Sequence, residues 1–439
     1  MPTISKRFAL VSFALTLCIS ILSFFSFHKA ASSKKSVMFI VHTETVGGKG
    51  VYDIYREMKK VGHDVKILAI PSFYFGKLIT NISADFINKF DQRDVLYPCG
   101  KSEPYTKCEP MQESKLDYIF TQNPYDSFSN SILDPYYTHS SLRKHTKKLM
   151  FIVYGPHLFH QHTIDDRNLP NLIDVVFVDS ESTKDIYRKY YDFPKDRIVV
   201  SGYESYKSVR DLRNKYKRDL QETILWLPRW TLSFKDRDLC EGGSTFLNYH
   251  YFFYNYAKSN PHINFIIRPH LLLFSVGVKG NYLSQDDLDE IFAKFSSLKN
   301  VTISMHTDRS LVDDVLASDV VISDGTSALG EVIVADKPII YLSNGWNNEF
   351  SSNKLSRELK KYIYLAYEPD DITKYLEQIR RNKYMPFQEE ICAKLSCKLA
   401  KIKCNILGKV CNREDFKKIL DPIENPAKLI ADYLSYDSL

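Results

Sequence analysis

The sequence SDVVISDGTSALGEVIVADKPIIYL, residues 318–342, contains two short apolar runs with a turn and a helix pattern between them. The first run ends at Asp324, a Gly-Thr-Ser turn follows, and the second run begins after a Lys-Pro pair. Alternation of this kind predicts a mostly parallel sheet with helices on both faces. Polar groups at the carboxyl ends of such strands commonly line a ligand crevice. Because a small-residue turn that opens a helix presents unpaired N–H groups, we expect an anionic ligand.

A second stretch, residues 242–273, has the same organisation. It reads GGSTFLNYHYFFYNYAKSNPHINFIIRPHLLL, which predicts a helix and then a strand that ends at Arg268, Pro269 and His270. Both stretches therefore place polar side chains at the carboxyl edge of a predicted sheet.

The rest of the chain also alternates between strand and helix patterns. The 439 residues are 44% hydrophobic, which is ordinary for a globular protein of two or three domains. We predict the α/β class, with a Rossmann-like first domain over residues 34–205 and a second over residues 206–370. A helical tail is expected over residues 371–439, with its closing segment, residues 426–434, packed on the first domain. The loop HTETVGGKG (residues 42–50) follows the first strand but lacks the GxGxxG pattern, so no dinucleotide site is claimed.

An uncharged segment lies near the amino terminus. Residues 8–27 read FALVSFALTLCISILSFFSF, and a helix of this length spans about 30 Å, the thickness of the hydrocarbon core of a membrane. We therefore predict a single transmembrane anchor within residues 1–33. The alternative is a cleaved signal peptide, whose apolar core is usually shorter, at about 7–15 residues. Basic residues flank both ends almost equally, so the positive-inside rule does not decide the orientation.

Charge and cysteine content exclude some classes of function. The net charge of +6 comes from 59 basic and 53 acidic residues, which fits anionic substrates or a membrane surface and lacks the basic stripe of a nucleic-acid binder. There are 8 cysteines and no CxxC pair, so no zinc site is predicted. Cys99 and Cys108 bracket a polar loop and could pair in an oxidising compartment, where sequons at Asn81 and Asn300 would also matter.

Several segments resemble the CDP-glycerol glycerophosphotransferase family, which makes glycerol-phosphate polymers such as teichoic acids. The resemblance is strongest in ILWLPRWTLSF (residues 224–234) and in the two stretches quoted above. FIVYGPHLFHQH (residues 151–162) is similar to a glycine loop of the family's first domain, and IVVSGY (residues 198–203) to the strand that closes that domain. The resemblance implies a GT-B fold, in which two Rossmann-like domains face each other across a cleft.

The resemblance also implies an enzyme activity. This is the transfer of glycerol phosphate, or a related polyol phosphate, from a CDP-activated donor to a hydroxyl of a surface-polymer or lipid-linked glycan acceptor, with release of CMP. The nucleotide-activated polyol is a substrate; no cofactor and no metal are expected, and no nucleic acid is a partner. Because CDP-activated polyols are cytosolic in bacteria, a membrane-anchored chain with catalytic domains on the cytoplasmic face is expected. A eukaryotic chain could instead have a luminal arrangement.

Three positions depart from the family pattern. The proline usual after the strand-end histidine is Leu271, and Arg229 and Trp230 stand where histidines are common in the most similar subgroup. The turn after Asp324 is Gly-Thr-Ser rather than a longer serine run. These differences keep two alternatives open: a GT-B glycosyltransferase that uses a UDP- or GDP-sugar, and a non-catalytic binding protein with a degenerate site.

Attack of a hydroxyl on the β-phosphate of a CDP-alcohol requires charge neutralisation, a stabilised leaving group and a base. Arg268 and His270 are candidates to bind the diphosphate, and His270 is also counted as catalytic. The alternatives are a structural ion pair for Arg268 and a satisfied buried histidine for His270. Thr326 and Ser327 would offer hydroxyls and N–H groups to phosphate, or serve only as helix caps.

Four further residues belong to the same predicted site. Asp324 shapes the turn, Arg229 could contact phosphate, and Trp230 could face the base or the acceptor. An aromatic residue there could also simply form the core or the cleft wall. Glu331 could accept hydrogen bonds from ribose hydroxyls, or it could be a solvated helix carboxylate.

His157 is the candidate general base. It follows an apolar strand and a Tyr-Gly-Pro turn, and an imidazole titrates near the operating pH of most enzymes. His160 and His162 compete for the role. The three histidines, followed by Asp165 and Asp166, also resemble a metal cluster, but their spacing in a predicted loop argues against one.

Overall fold

The computed structural model describes residues 34–42, 48–74, 77–80, 82–105, 108–111, 115–123, 136–156, 158, 169–217, 221–230, 244–270, 273, 283–305, 309–343, 350, 354–383 and 417–437. They form two α/β domains, each built on one parallel sheet. The predicted α/β class with two domains is therefore confirmed. No helix among these residues is long and apolar enough to cross a membrane, and the predicted anchor lies outside them.

Among the described residues, the first domain contains nine strands: β1 (Ser36–Val41), β2 (Asp64–Ala69), β3 (Ser72–Tyr74), β4 (Lys77–Thr80), β5 (Val95–Leu96), β6 (Leu116–Thr121), β7 (Thr146–Ile152), β8 (Val175–Val178) and β9 (Ile198–Val200). Its helices are α1 (Val51–Lys60), α2 (Ala84–Ile87), α3 (His139–Leu142), α4 (Leu169–Leu172), α5 (Glu181–Tyr190) and α6 (Glu204–Arg213), with 3₁₀ turns at Gln92–Asp94, Arg143–His145 and Lys195–Arg197. Seven strands form a parallel sheet in the order β5-β2-β1-β6-β7-β8-β9, and β3 and β4 form an antiparallel pair.

In the described part of the second domain there are six strands: β10 (Thr223–Leu227), β11 (Asn264–Ile267), β12 (Val301–Ile303), β13 (Val320–Ser323), β14 (Ile339–Leu342) and β15 (Tyr364–Ala366). Its helices are α7 (Phe246–Ser259), α8 (Gln285–Ser296), α9 (Leu311–Ala317), α10 (Leu329–Val334), α11 (Lys354–Tyr362) and α12 (Pro369–Lys383). The sheet order is β12-β11-β10-β13-β14-β15. Counted within the domain this is 3-2-1-4-5-6, the order of a Rossmann sheet, in which the chain changes direction between the first and fourth strands.

Local sequence explains the central packing of the second domain. Every residue of β10 and β13 is buried, as expected for strands covered on both faces. Helix α7 buries residues at spacings of three or four, which places them on one face. Two of them, Phe246 and Phe253, lie against Trp226 with ring centroids 5.5 and 4.4 Å apart. Trp226 is therefore a core residue.

The chain returns to the first domain at its carboxyl end. Helix α13 (Pro426–Tyr436) places Ala427, Ile430 and Leu434 in the core of the first domain beside α1. Beyond it, the Asp437 carboxylate accepts hydrogen bonds from Lys148 Nζ at 2.7 Å and Tyr118 Oη at 3.0 Å. The closing segment thus packs where the sequence analysis expected it.

Packing of the second domain extends beyond residue 370. Helix α12 begins at Pro369, and its Ile372 and Leu376 lie in the core cluster of that domain. The predicted tail therefore begins with a helix that belongs to the second domain. Such a boundary is hard to place from sequence because α12 follows β15 after only a short connection.

The structure also shows the positions of two sequence features outside the candidate-site motifs. Cys99 and Cys108 are buried and joined by a disulfide, the pair suggested by the sequence. The Asn300 amide nitrogen donates to the carbonyl oxygens of Ala257 and Ile263 at 3.0 and 2.9 Å. This sequon asparagine is therefore used to join α7 to β11. Asn81 lies outside the described residues.

Candidate functional site

The predicted motifs of the second domain meet at the switch point of its sheet. Strand β10 pairs with β11 on one side and β13 on the other, all parallel. The residues that follow these strands are Arg229 and Trp230 after β10, Arg268 to His270 after β11, and Asp324 to Ser327 after β13. Connections from β10 and β13 leave in opposite directions, which opens a crevice at this edge. The tertiary structure thus collects segments that are far apart in the chain.

Asp324 joins the segment after β13 to the segment after β10 and to the start of α7. Its Oδ1 atom accepts a hydrogen bond from the Arg229 backbone N–H at 2.8 Å. Its Oδ2 atom accepts from Ser244 Oγ at 3.0 Å, and from the Thr245 N–H and Oγ1 at 2.8 and 3.0 Å. Burial raises the pKa of Asp324, while the hydrogen bonds from Thr245 and Arg229 oppose that shift. The carboxylate therefore shapes the site, as the sequence suggested.

The Gly-Thr-Ser turn combines backbone donors with a nearby cation. Gly325 has φ of +107°, and a Cβ atom there would lie 3.2 Å from Tyr341 Oη and 3.9 Å from Arg229 Nη1. Within the described residues, no acceptor lies within hydrogen-bond reach of the Thr326 and Ser327 backbone N–H groups. Thr326 Oγ1 accepts from the Ala328 N–H at 3.3 Å, so its cap role is present too. The turn offers two donors to an anion beside a guanidinium.

Trp230 and His270 form an aromatic pair at the neighbouring strand end. Their ring centroids are 6.3 Å apart with planes tilted by 40°, and both residues are half-buried. The His270 backbone N–H donates to the Pro228 carbonyl oxygen at 3.1 Å, which holds the two strand ends together. The pair is suited to line one wall of the crevice, and a catalytic role for His270 stays a prediction.

Arg268 lies in a different environment from Arg229. Its side chain is 3% exposed, and Nη1 donates to Asp314 Oδ2 at 2.8 Å, Ser304 Oγ at 3.0 Å and the Arg309 carbonyl oxygen at 2.9 Å. This is the structural ion pair that the sequence left as an alternative. A direct phosphate contact by Arg268 stays a prediction that this geometry does not favour.

Glu331 is enclosed rather than solvated. Its side chain has no exposed area, and Oε1 accepts from Ser205 Oγ at 2.8 Å and lies 3.7 Å from Lys49 Nζ. The solvated-carboxylate alternative is therefore wrong. A ribose contact would require the carboxylate to be uncovered. Sequence analysis missed Lys49, although its place between two glycines of the loop after β1 was a usable signal.

The first domain contacts the Gly-Thr-Ser turn of the second domain. A Cβ atom on Gly155 would lie 3.0 Å from Ser327 Cβ, and one on Gly330 would lie 3.0 Å from Pro156 Cγ. The turn that precedes His157 therefore borders the site. His157 itself, with His160 and His162, lies outside the described residues. The described part of the chain contains no group of three or more His, Cys, Asp or Glu side chains that could hold a metal ion.

A buried carboxylate also lies at the junction between the domains. Glu204 opens α6 and accepts a hydrogen bond from the Ala427 N–H at 3.0 Å, at the first turn of α13. Gly50 packs so closely that a Cβ atom there would lie 2.4 Å from Glu204 Cβ. Burial raises the pKa of Glu204 to about 7 from 4.5, more than the hydrogen bond from Ala427 and the nearby Lys207 lower it.

This geometry predicts a pH dependence of stability that Glu204→Gln removes. Because the folded state binds this proton more tightly than the unfolded state, the contribution of Glu204 to stability is greatest below pH 4.5 and is lost as pH rises through about 7. The difference is about 3 kcal/mol. In thermal unfolding across pH 5 to 7.5, the Tm of the variant should therefore rise relative to the Tm of wild type as the pH increases. The exposed Glu290→Gln should show no such gain, and parallel curves for Glu204→Gln would contradict the prediction.

Comparison with solved structures gives a fold-level relationship. The wall teichoic acid polymerase TagF aligns over 92% of this chain and 89% of its own, with a TM-score of 0.53 and 11% identity. The resemblance seen in the sequence holds at the level of the fold. The UDP-GlcNAc 2-epimerase of Neisseria meningitidis aligns over 91% of this chain and 100% of its own, with a TM-score of 0.51 and 14% identity. Two parallel-sheet domains of this kind are consistent with GT-B. No family model and no curated protein sequence matches the chain.

Proposed function

We propose that this chain is a GT-B transferase that moves glycerol phosphate, or a related polyol phosphate, from a CDP-activated donor to a hydroxyl acceptor. The observation that carries the proposal is the Arg229 guanidinium beside Gly325, the residue that precedes the Thr326 and Ser327 N–H groups, at the switch point. A diphosphate needs such a combination of fixed dipoles and delocalised positive charge. TagF was solved with CDPG and the 2-epimerase with UDP-GlcNAc, so both neighbours take nucleotide-activated ligands.

The proposed reaction is a displacement at the β-phosphorus. The acceptor oxygen forms a bond to that phosphorus, the bond to the bridging oxygen breaks, and CMP leaves with the bonding electrons. Arg229 and the two N–H groups stabilise the charge on the departing phosphate. His157 is the proposed base that takes the hydroxyl proton, with Trp230 and His270 lining the crevice.

The acceptor is proposed to be linked to a membrane. Residues 8–27 would hold the catalytic domains at the membrane surface, where a lipid-linked polymer ends. Flotation of the full chain with liposomes, lost on deletion of residues 1–33, is the result expected of an anchor. Equal flotation of both forms would contradict it.

Nucleotide binding to the full chain tests the proposed donor. A ligand at a hundredfold excess over its Kd stabilises the folded state by about 2.7 kcal/mol. We expect CMP and CDP to raise Tm more than UDP or GDP, and Arg229→Ala to abolish that rise. The control is Arg381→Ala, which removes an arginine that is 73% exposed on α12. A preference for UDP or GDP would favour a nucleotide-sugar glycosyltransferase, and no response to any nucleotide would contradict the proposed function.

A further inference from the structure

Glu331 has a buried carboxylate whose counter-charge comes from the other domain. Within the described residues, its Oε2 atom is buried and has no hydrogen-bond partner, while Oε1 is shared by Ser205 and Lys49. A buried carboxylate with so few donors is costly unless a cation is close. Lys49 Nζ, 3.7 Å away, supplies that charge.

Lys49 is held in place by the first domain. The Gln122 amide, which follows β6, donates to the Lys49 carbonyl oxygen at 2.8 Å. Gly50 adopts φ of 71°, which lets the chain turn into α1. The lysine ammonium lies 5.9 Å from the centre of the Tyr203 ring, and its side chain is only 16% exposed. Backbone and side chain therefore both direct the charge toward α10.

Helix α10 connects the Lys49–Glu331 ion pair to the Thr326–Ser327 turn. Glu331 follows the Thr326–Ser327 turn by one helical turn, and the Ser327 carbonyl oxygen accepts from the Gly330 N–H at 3.1 Å. Gly330 itself is in close contact with the first domain, since a Cβ atom there would lie 2.3 Å from Tyr206 Oη. A displacement of α10 would therefore move the Thr326 and Ser327 N–H groups, which are proposed to bind phosphate.

We propose that Lys49 is a positioning residue for nucleotide binding: its cross-domain ion pair with Glu331 fixes α10 and thereby the Thr326–Ser327 turn. The inference rests on the proposed function for the identity of the ligand. Lys49 does not contact the nucleotide in this mechanism. Its charge fixes the position of the Thr326 and Ser327 backbone N–H groups through the contact between the two domains.

The test compares Lys49→Met with Lys49→Arg and with Lys59→Met in the full chain. Lys59 lies in the last turn of α1, the helix that Lys49 precedes, and also pairs with a buried carboxylate, Asp94, at 2.8 Å. Lys49→Met should weaken binding of CDP, or of whichever nucleotide wild type prefers, by about fivefold or more, the lower end of measured coupling between sites. Lys49→Arg should restore it. Lys59→Met should lower Tm without changing nucleotide affinity.

Hydrogen exchange of α10 provides a readout that needs no ligand. Amide exchange in residues 329–335 should become faster in Lys49→Met, return to the wild-type rate in Lys49→Arg, and stay unchanged in Lys59→Met. Unchanged exchange and unchanged affinity in Lys49→Met would overturn the inference, as would equal changes in Lys59→Met. If wild type binds no nucleotide, the proposed function fails, and the exchange rates still decide whether the ion pair fixes α10.

Discussion

Replacing Arg268 with methionine should lower the free energy of unfolding of the second domain by about 3 kcal/mol. The change removes the guanidinium from Asp314, a carboxylate with no exposed side-chain area. Arg309 Nε, 2.9 Å from Asp314 Oδ1, still compensates part of that charge, but Arg309 is 36% exposed. The buried carboxylate therefore loses its enclosed partner, and the loss stays at the low end of the range for a broken buried pair. Chemical denaturation followed by circular dichroism, with the second-domain transition resolved, measures the loss.

Two variants show whether this effect belongs to the ion pair. Removing both charges in Arg268→Met/Asp314→Leu should recover much of the stability, because no buried charge is left alone. Arg229→Met, at the end of the adjacent strand β10, should lose nucleotide binding with little loss of stability. A variant Arg268→Met that unfolds like wild type and yet fails to bind nucleotide would restore the phosphate role that the sequence suggested.

Replacing Asp324 with alanine should destabilise the second domain by about 3 kcal/mol and also abolish nucleotide binding. The change leaves the buried donors of Ser244, Thr245 and Arg229 without their acceptor. These donors belong to two segments, the one after β10 and the start of α7, which thereby lose their common anchor on the turn. Asparagine should not rescue either property, because its amide nitrogen would face N–H and O–H donors. Thermal unfolding and nucleotide titration measure the two effects.

Asp319 provides a matched control for Asp324. It stands at the opposite end of β13, and its Oδ2 atom accepts from the Thr223 N–H at 2.9 Å. Asp319→Ala should lower Tm moderately and leave nucleotide affinity unchanged. Equal losses of affinity in the two variants would show that strand stability, rather than the Asp324 anchor, limits binding.

Part of the candidate site follows from sequence alone. The apolar runs of β10 and β13, and the small polar residues after them, predict both a parallel sheet and a polar carboxyl edge. Asp324 as the residue that shapes the turn was deduced in this way. The pairing of Cys99 with Cys108, which bracket a short polar loop, was raised as a possibility on the same kind of local pattern, and the structure contains that disulfide. These features depend on residues near one another in the chain, which is why a local pattern reveals them.

The partners of charged residues could not be deduced in the same way. Arg268 and Arg229 both follow apolar strands, and nothing in their neighbourhoods distinguishes a buried ion pair from a half-buried cation. The difference is made by Asp314, on α9, which the topology brings beneath Arg268. Glu331 likewise is neither solvated nor in the crevice, because Lys49 and Ser205 approach from the other domain.

The sequence by itself determined the α/β class, the alternation of strands and helices, and the polar residues at the carboxyl ends of the strands. These depend on short-range burial patterns and on turn residues, which act within one element or its neighbours. Only the tertiary structure decided which polar side chains remain available. Electrostatic pairing and burial depend on what the sheet order and the contact between domains bring within a few ångströms. Residues distant in sequence meet there, and no local pattern encodes which of them will neutralise each other.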